Sequence, residues 1–249
     1  MPSIERNLLE PLREASIGAE VHTLHHLNRQ QAVVNPRSNE NGTLDEDNYR
    51  WFAGREGVVE APDPSLIATM LPSLLAFGDT YGDGGASLRN LLFQLNSLKQ
   101  VTRLFLQGGF DAAVFARPDL AYHDALPLNA LRFALRQPRA CVVPNWQSWG
   151  GCNDRFAICG RDAAVAYGNR LDDALAYCKE GPRPLHAEKL LKYTIVRHGL
   201  KLRTMPTRAS RVRIDGTRKE ESFSVYASAP NSRIEKLKLL YLDKLSLLM

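Results

Sequence analysis

The sequence predicts an α/β fold, on three observations. Segments with apolar residues at a 3.6-residue period alternate with short, wholly apolar runs of strand length. The helical segments carry their own start and stop signals, such as Asp-Pro at 63–64 and Gly-Gly at 108–109. The densest chemistry follows the apolar runs: Arg-Pro-Asp at 117–119 after AAVFA, and NWQSWGGCND at 145–154 after CVV. Open α/β sheets bind ligands outside the carboxyl ends of their strands, so both stretches are site candidates.

Residues 4–15 (IERNLLEPLREA) set apolar side chains at helical spacing, with a kink expected at Pro11. Residues 19–27 (AEVHTLHHL) alternate as a strand does. His22 and His26 would share one face of a helix, but a strand spoils that geometry, so no metal site is expected there. Residues 35–49 are polar and turn-rich and read as a long surface loop. A short strand is expected over 58–61. A helix follows over 64–75, with Asp63 as N-cap, Pro64 at the first helical position, and Pro72 as a kink or early stop.

Residues 77–109 place a Gly/Asp-rich loop before a long helix capped by Asp83 or Ser87. Leu88, Leu91, Leu92, Leu95, Leu98 and Val101 mark its packed face; Arg89, Gln94 and Lys99 lie opposite. AAVFA is a buried strand ending at Arg117, Pro118 and Asp119, a charged pair that suits either a ligand site or an ordinary surface ion pair. A short helix over 126–140 leads into the CVV strand. FAICG is a further strand, followed by one helix capped by Asp162. Residues 185–200 (LHAEKLLKYTIVRHGL) form a helix closed by Gly199, with His186 and Glu188 at its start, where a carboxylate suits the helix dipole. Residues 200–216 are strand-like and basic, and Arg203, Arg208, Arg211 and Arg213 suit phosphate oxygens. Residues 232–249 read as an amphipathic helix.

Composition narrows the class. The chain has 249 residues, 44% hydrophobic and 24% charged, ordinary for a globular protein. Its net charge of +5 and pI near 9.1 suit an anionic ligand such as a nucleotide diphosphate, and no nucleic acid partner is implied. No apolar run reaches the ~20 residues of a membrane span, and no signal segment is visible, so a cytoplasmic location is the default expectation. Cys141, Cys152, Cys159 and Cys178 form no CxxC pair and no zinc spacing. In the 145–154 loop, Trp146 and Trp149 can wall a pocket, Gly150 and Gly151 allow close backbone approach, and Asp154 can move a proton.

The order of these segments, with GASLRNLLFQLNSLKQV, FDAAVFARPDL, SWGGCNDRFAICG, LHAEKLL and RVRIDG, resembles small GT-A-type glycosyltransferase-like proteins. It is similar to the small glycosyltransferase domain of chlorella viruses, over residues 4–216. The resemblance implies a GT-A-like, mostly parallel central sheet flanked by helices, one domain over 1–231 and a C-terminal helix over 232–249. It implies transfer of a sugar from a nucleotide-sugar donor to a glycan or other hydroxyl acceptor. Asp119 would hold Mn²⁺ or Mg²⁺ against the donor diphosphate, with Arg117 standing where the usual motif has its first carboxylate. Gln94, Arg117, Asp119, Arg211 and Arg213 would bind the donor. Asp154 would be the general base, and Trp146, Trp149, Asn153, His186 and Glu188 would line the acceptor side. The chain starts with what reads as the helix after the family's first strand, so a shortened nucleotide site and a gap in the sheet are expected. The runner-up is a catalytically inactive homologue that binds nucleotide or glycan, or serves as a scaffold. A nucleotidyltransferase would show a Gly-rich N-terminal phosphate loop, and the sequence has none.

Overall fold

The computed structural model describes residues 2–15, 20–35 and 40–224. The chain opens with α1 (Pro2–Ile4), a π-helical turn (Glu5–Leu9) and α2 (Glu10–Glu14). The wide π turn comes directly before Pro11, whose ring and missing N–H an α-helix interior tolerates poorly. It stands where a kink was expected. Then come β1 (Leu24–Asn28), β2 (Ala32–Asn35), β3 (Glu40–Thr43) and β4 (Glu56–Glu60). β1 and β4 form a parallel pair, and β2 and β3 an antiparallel one. The expected surface loop over 35–49 therefore contains a strand, and the strand expected from residue 19 begins only at Leu24.

α3 (Pro64–Leu75) and α4 (Ala86–Gly108) match their sequence signals. The Asp63 carboxylate accepts from Ser65 N at 2.8 Å, and Pro72 sits inside α3 without ending it. The Asp83 carboxylate accepts from Ser87 N and from its hydroxyl, at 2.6 Å for the latter, so Asp83 is the side-chain cap of α4. Gly109 closes α4 in the left-handed region, at φ 69°. Leu92 and Leu95 are fully buried on its inner face, each contributing about 1.5–3 kcal/mol.

β5 (Ala112–Phe115), β6 (Leu120–Tyr122), α5 (Leu128–Arg136), β7 (Ala140–Pro144) and β8 (Ala157–Gly160) follow. The single helix expected after β8 is two, α6 (Arg161–Gly168) and α7 (Ala174–Glu180). Asp162 lies in the first turn of α6, and Gly160 holds the cap position. The chain ends its described part with α8 (Ala187–Arg197), β9 (Lys201–Met205) and β10 (Ala209–Arg211), which pairs with β6.

The central sheet runs β5-β8-β7-β9. β8 is antiparallel to both of its neighbours, and β7 and β9 are parallel. The class is α/β, but the sheet is mixed where a mostly parallel one was expected. A buried apolar strand reads the same in either direction, so the sequence carries no signal for the reversal of β8. Helices cover both faces. Val142 and Ile158 pack towards α5 and the N-terminal helices; Cys141, Val143, Ala157 and Cys159 pack towards α4, α6 and α8. Among the described residues no helix is long and apolar enough to cross a membrane. The helix expected over 232–249 lies outside the described residues.

Candidate functional site

A groove of about 2160 Å³ is lined by β1, α4, the end of β5, the 147–155 loop, the start of α8 and the segment around β10. It collects Gln94, Arg117, Asp119, Trp149, Asp154, His186, Glu188, Arg211 and Arg213 from across the chain. Trp146 and Asn153 are not among its walls.

Arg117 and Asp119 lie just past β5. Arg117 donates Nε to Asp119 Oδ1 at 2.9 Å and Nη2 to Oδ2 at 2.6 Å, a two-pronged pair. Its Nη1 donates to Gln94 Oε1 at 2.8 Å, which ties the strand end to α4. The pair is held from below: Arg117 N donates to the Tyr122 hydroxyl at 3.0 Å, and Val212 N donates to Asp119 O at 2.8 Å. The side chains keep 26% and 41% of their surface accessible, so the pair faces the groove. Burial alone would raise the Asp119 pKa, but the Arg117 charge and bonds, with Arg211 behind them, hold it below the usual carboxylate range. Burial likewise opposes the Arg117 charge, and Asp119 and then Asp154 more than restore it. Arg211 has its pKa lowered, by burial first and by Arg117 next. Its Nε is buried with no hydrogen-bond partner.

Asp154 is buried in the groove wall, and Arg170 Nη2 lies 3.6 Å from its Oδ2. Arg170 is only 1% exposed, lies over the Tyr167 ring at 4.2 Å and donates Nη1 to Tyr167 O at 2.9 Å. Its Nε, too, is buried without a partner. The Tyr167 hydroxyl donates to Asp154 O at 3.2 Å. Arg170 was not among the expected site residues. The sequence carried little signal for it, since Arg170 lies in the polar stretch GNRLDD at 168–173, where a solvated charge is the ordinary reading.

The loop around Asp154 is built by close docking. Gln147 and Trp149 take left-handed backbone angles, at φ 47° and 49°, which non-glycine residues adopt only at a cost of about 1–3 kcal/mol. The turn throws Trp149 outwards, half exposed, and Trp146 inwards, fully buried. Trp146 Nε1 donates to Thr207 O at 2.9 Å, and its ring meets Phe223 edge-on at 5.0 Å. Trp146 is therefore core, not an acceptor wall. Asn153 is corrected likewise: buried, it donates Nδ2 to Trp146 O at 2.6 Å and accepts from Arg155 N at 3.0 Å, pinning the loop's shape. Gly151 makes its close approach to α8, not to a ligand. A Cβ there would overlap the Glu188 carbonyl, and Cys152 N donates to Glu188 O at 2.9 Å.

That contact brings the start of α8 to the loop. His186 Nδ1 lies 3.1 Å from Glu188 Oε2, and His186 holds the N-cap position without a side-chain capping bond. Arg213 pairs with Glu40 at 3.0 Å. Arg155, 4.8 Å over the Trp146 ring, pairs with Glu221 at 3.1 Å, and Gln147 Nε2 donates to Glu221 Oε2 at 2.7 Å. Residues 221–223 thus strap the loop down.

The expected metal was tested against this geometry. Both Asp119 oxygens already accept from Arg117, so a divalent cation there would sit against a guanidinium. Among the described residues no three His, Cys, Asp or Glu side chains gather as a metal site. As arranged, a divalent ion would reach Asp119 only by displacing Arg117 from both carboxylate oxygens, and Arg117 stands where a second carboxylate would help to hold it. The thiols offer no nucleophile: all four are buried, and burial pushes Cys152 up to about 12. No protein-family model, no curated protein and no solved structure matches the chain.

Proposed function

We propose that the groove transfers a sugar from a nucleotide-sugar donor to a hydroxyl acceptor, within a GT-A-like fold. The observation that carries the reading is a buried carboxylate, Asp154, in the same groove as a guanidinium-rich strand end, Arg117 with Arg211. Such a transfer needs a base at the incoming hydroxyl and positive charge at the departing diphosphate. In the reaction the acceptor hydroxyl gives its proton to Asp154 and its oxygen bonds the anomeric carbon. The bond from that carbon to the donor's phosphate oxygen breaks, and its electron pair leaves with the diphosphate, facing Arg117 and Arg211. Arg170 is a positioning residue that holds the Asp154 carboxylate in the groove wall. Trp149, His186 and Glu188 form the acceptor side.

The test is incubation with a panel of nucleotide sugars, with and without Mn²⁺, followed by nucleoside diphosphate release and thermal shift. Donor binding with slow hydrolysis is expected. Asp154→Asn should keep donor binding and lose transfer by about 10²–10⁴-fold. Binding of no donor, or transfer that survives in Asp154→Asn, refutes the reading. A catalytically inactive, ligand-binding homologue is the second reading, favoured by the Arg117–Asp119 latch, which occupies both oxygens of the expected metal carboxylate. It is the outcome if donors bind and none is turned over.

A further inference from the structure

Arg117 has five N–H donors and spends three, two on Asp119 and one on Gln94, so two remain for a ligand in the groove. Beside it the Arg211 Nε is buried and unpartnered. Deeper in the wall Arg170, 1% exposed, also has an unpartnered Nε. Buried donors are nearly always satisfied, so the orphaned Arg211 Nε beside the unspent donors of Arg117 points to an absent acceptor, while the Arg170 Nε lies behind the wall against Tyr167. Arg117, Arg155 and Arg211 cluster locally around Asp119 and Glu221. Guanidinium forks match phosphate oxygens two at a time.

We propose that this site binds the diphosphate of its nucleotide ligand without a divalent cation, Arg117 occupying the cation's place and Arg211 flanking it. The nucleotide part rests on the transferase reading; the metal-free anion site does not. Asp119 becomes the holder of Arg117, fixing its plane so that the remaining donors face the groove. The carboxylate thus anchors an organic cation where an inorganic one was expected.

The experiment is isothermal titration of the full chain with UDP, GDP, ADP, CDP and inorganic pyrophosphate, each in EDTA and in Mn²⁺. A nucleoside diphosphate should bind in EDTA with an affinity within about threefold of that in Mn²⁺. Arg117→Gln should weaken it by about tenfold to a hundredfold, the worth of charge-assisted hydrogen bonds. Arg117→Asp sets two carboxylates one residue apart and should make any remaining binding depend on Mn²⁺. Thermal unfolding checks that each variant is folded, and Arg211→Gln, expected to weaken binding in the same direction, replaces one that is not. Binding that requires Mn²⁺ in the unaltered protein overturns the proposal and leaves the transferase reading standing. Pyrophosphate binding in EDTA with no nucleoside diphosphate binding keeps the guanidinium site and removes the donor reading. No binding of any probe overturns both, and a folded Arg117→Gln that binds unchanged overturns the role of Arg117.

Discussion

Gly151→Ala tests whether the Asp154 loop is held by α8. The new methyl would overlap the Glu188 carbonyl and come within 2.5 Å of Lys189 N, and both are backbone atoms of a helix that cannot move aside cheaply. The loop must lift instead, breaking the 2.9 Å bond from Cys152 N to Glu188 O. A buried donor left unsatisfied costs about 1–3 kcal/mol, and forcing extra volume into a packed contact costs about 1–3 kcal/mol more. The expected loss is about 2–6 kcal/mol. At ~2–4 °C per kcal/mol for a chain of this size, thermal unfolding should fall by about 4–24 °C. Gly150→Ala is the control: its φ of 79° is strained for alanine, but the only neighbour of a Cβ is Lys189 Cε at 3.6 Å, so it should cost about 1–2 kcal/mol. Circular dichroism melts read both. A Gly151→Ala protein that melts within about 1 °C of the original, or above Gly150→Ala, refutes the docked loop.

Trp146→Ala should cost about 3–5 kcal/mol in urea unfolding, while Trp149→Ala stays within about 0.5 kcal/mol; equal effects would mean that the inward and outward assignments are wrong. Glu221→Ala strands Arg155, whose side chain is only 10% exposed, and should cost about 3–5 kcal/mol by the same measurement; a neutral result removes the strap. His123 has its pKa lowered by burial, then by Arg218 and Arg208, against a weaker pull from Asp124, so folding favours its neutral form. A depressed folded pKa stabilises fully above the ordinary value near 6.5 and loses that contribution as pH falls through the folded pKa. Stability measured between pH 7 and 5 should therefore fall less steeply in His123→Gln; an unchanged slope refutes the assignment.

Much of the scaffold was legible because its signals are local. Asp63 and Pro64 mark the start of α3, and the leucine period with its closing glycines bounds α4 within a residue or two. Arg117, Asp119, Asp154, His186 and Glu188 were each legible as polar residues at strand and helix ends, but only the family resemblance grouped them, since ion pairing and capping explain such residues equally well. What stayed hidden depends on partners far along the chain. The apolar period continues across Gly168, so the break between α6 and α7 left no mark. Two tryptophans three residues apart look alike until the left-handed turns at Gln147 and Trp149 send one inwards. The Arg117–Asp119 latch needs Gln94 from α4, and the Asp154 partner comes from a turn 16 residues on. Ion pairs of that kind are decided by tertiary placement, and a one-dimensional pattern does not encode it.

Gly168 and Thr102 touch so closely that any side chain at 168 would overlap the Thr102 hydroxyl. Thr102 belongs to the helix that presents Gln94, and Gly168 lies between Tyr167 and Arg170. One crossing point therefore sets the spacing between the supports of the two charged pairs in the groove. Neither residue lines the groove, yet a side chain at 168 would push the two supports apart, and its remedy would be a compensating change in the opposite helix, not in the groove.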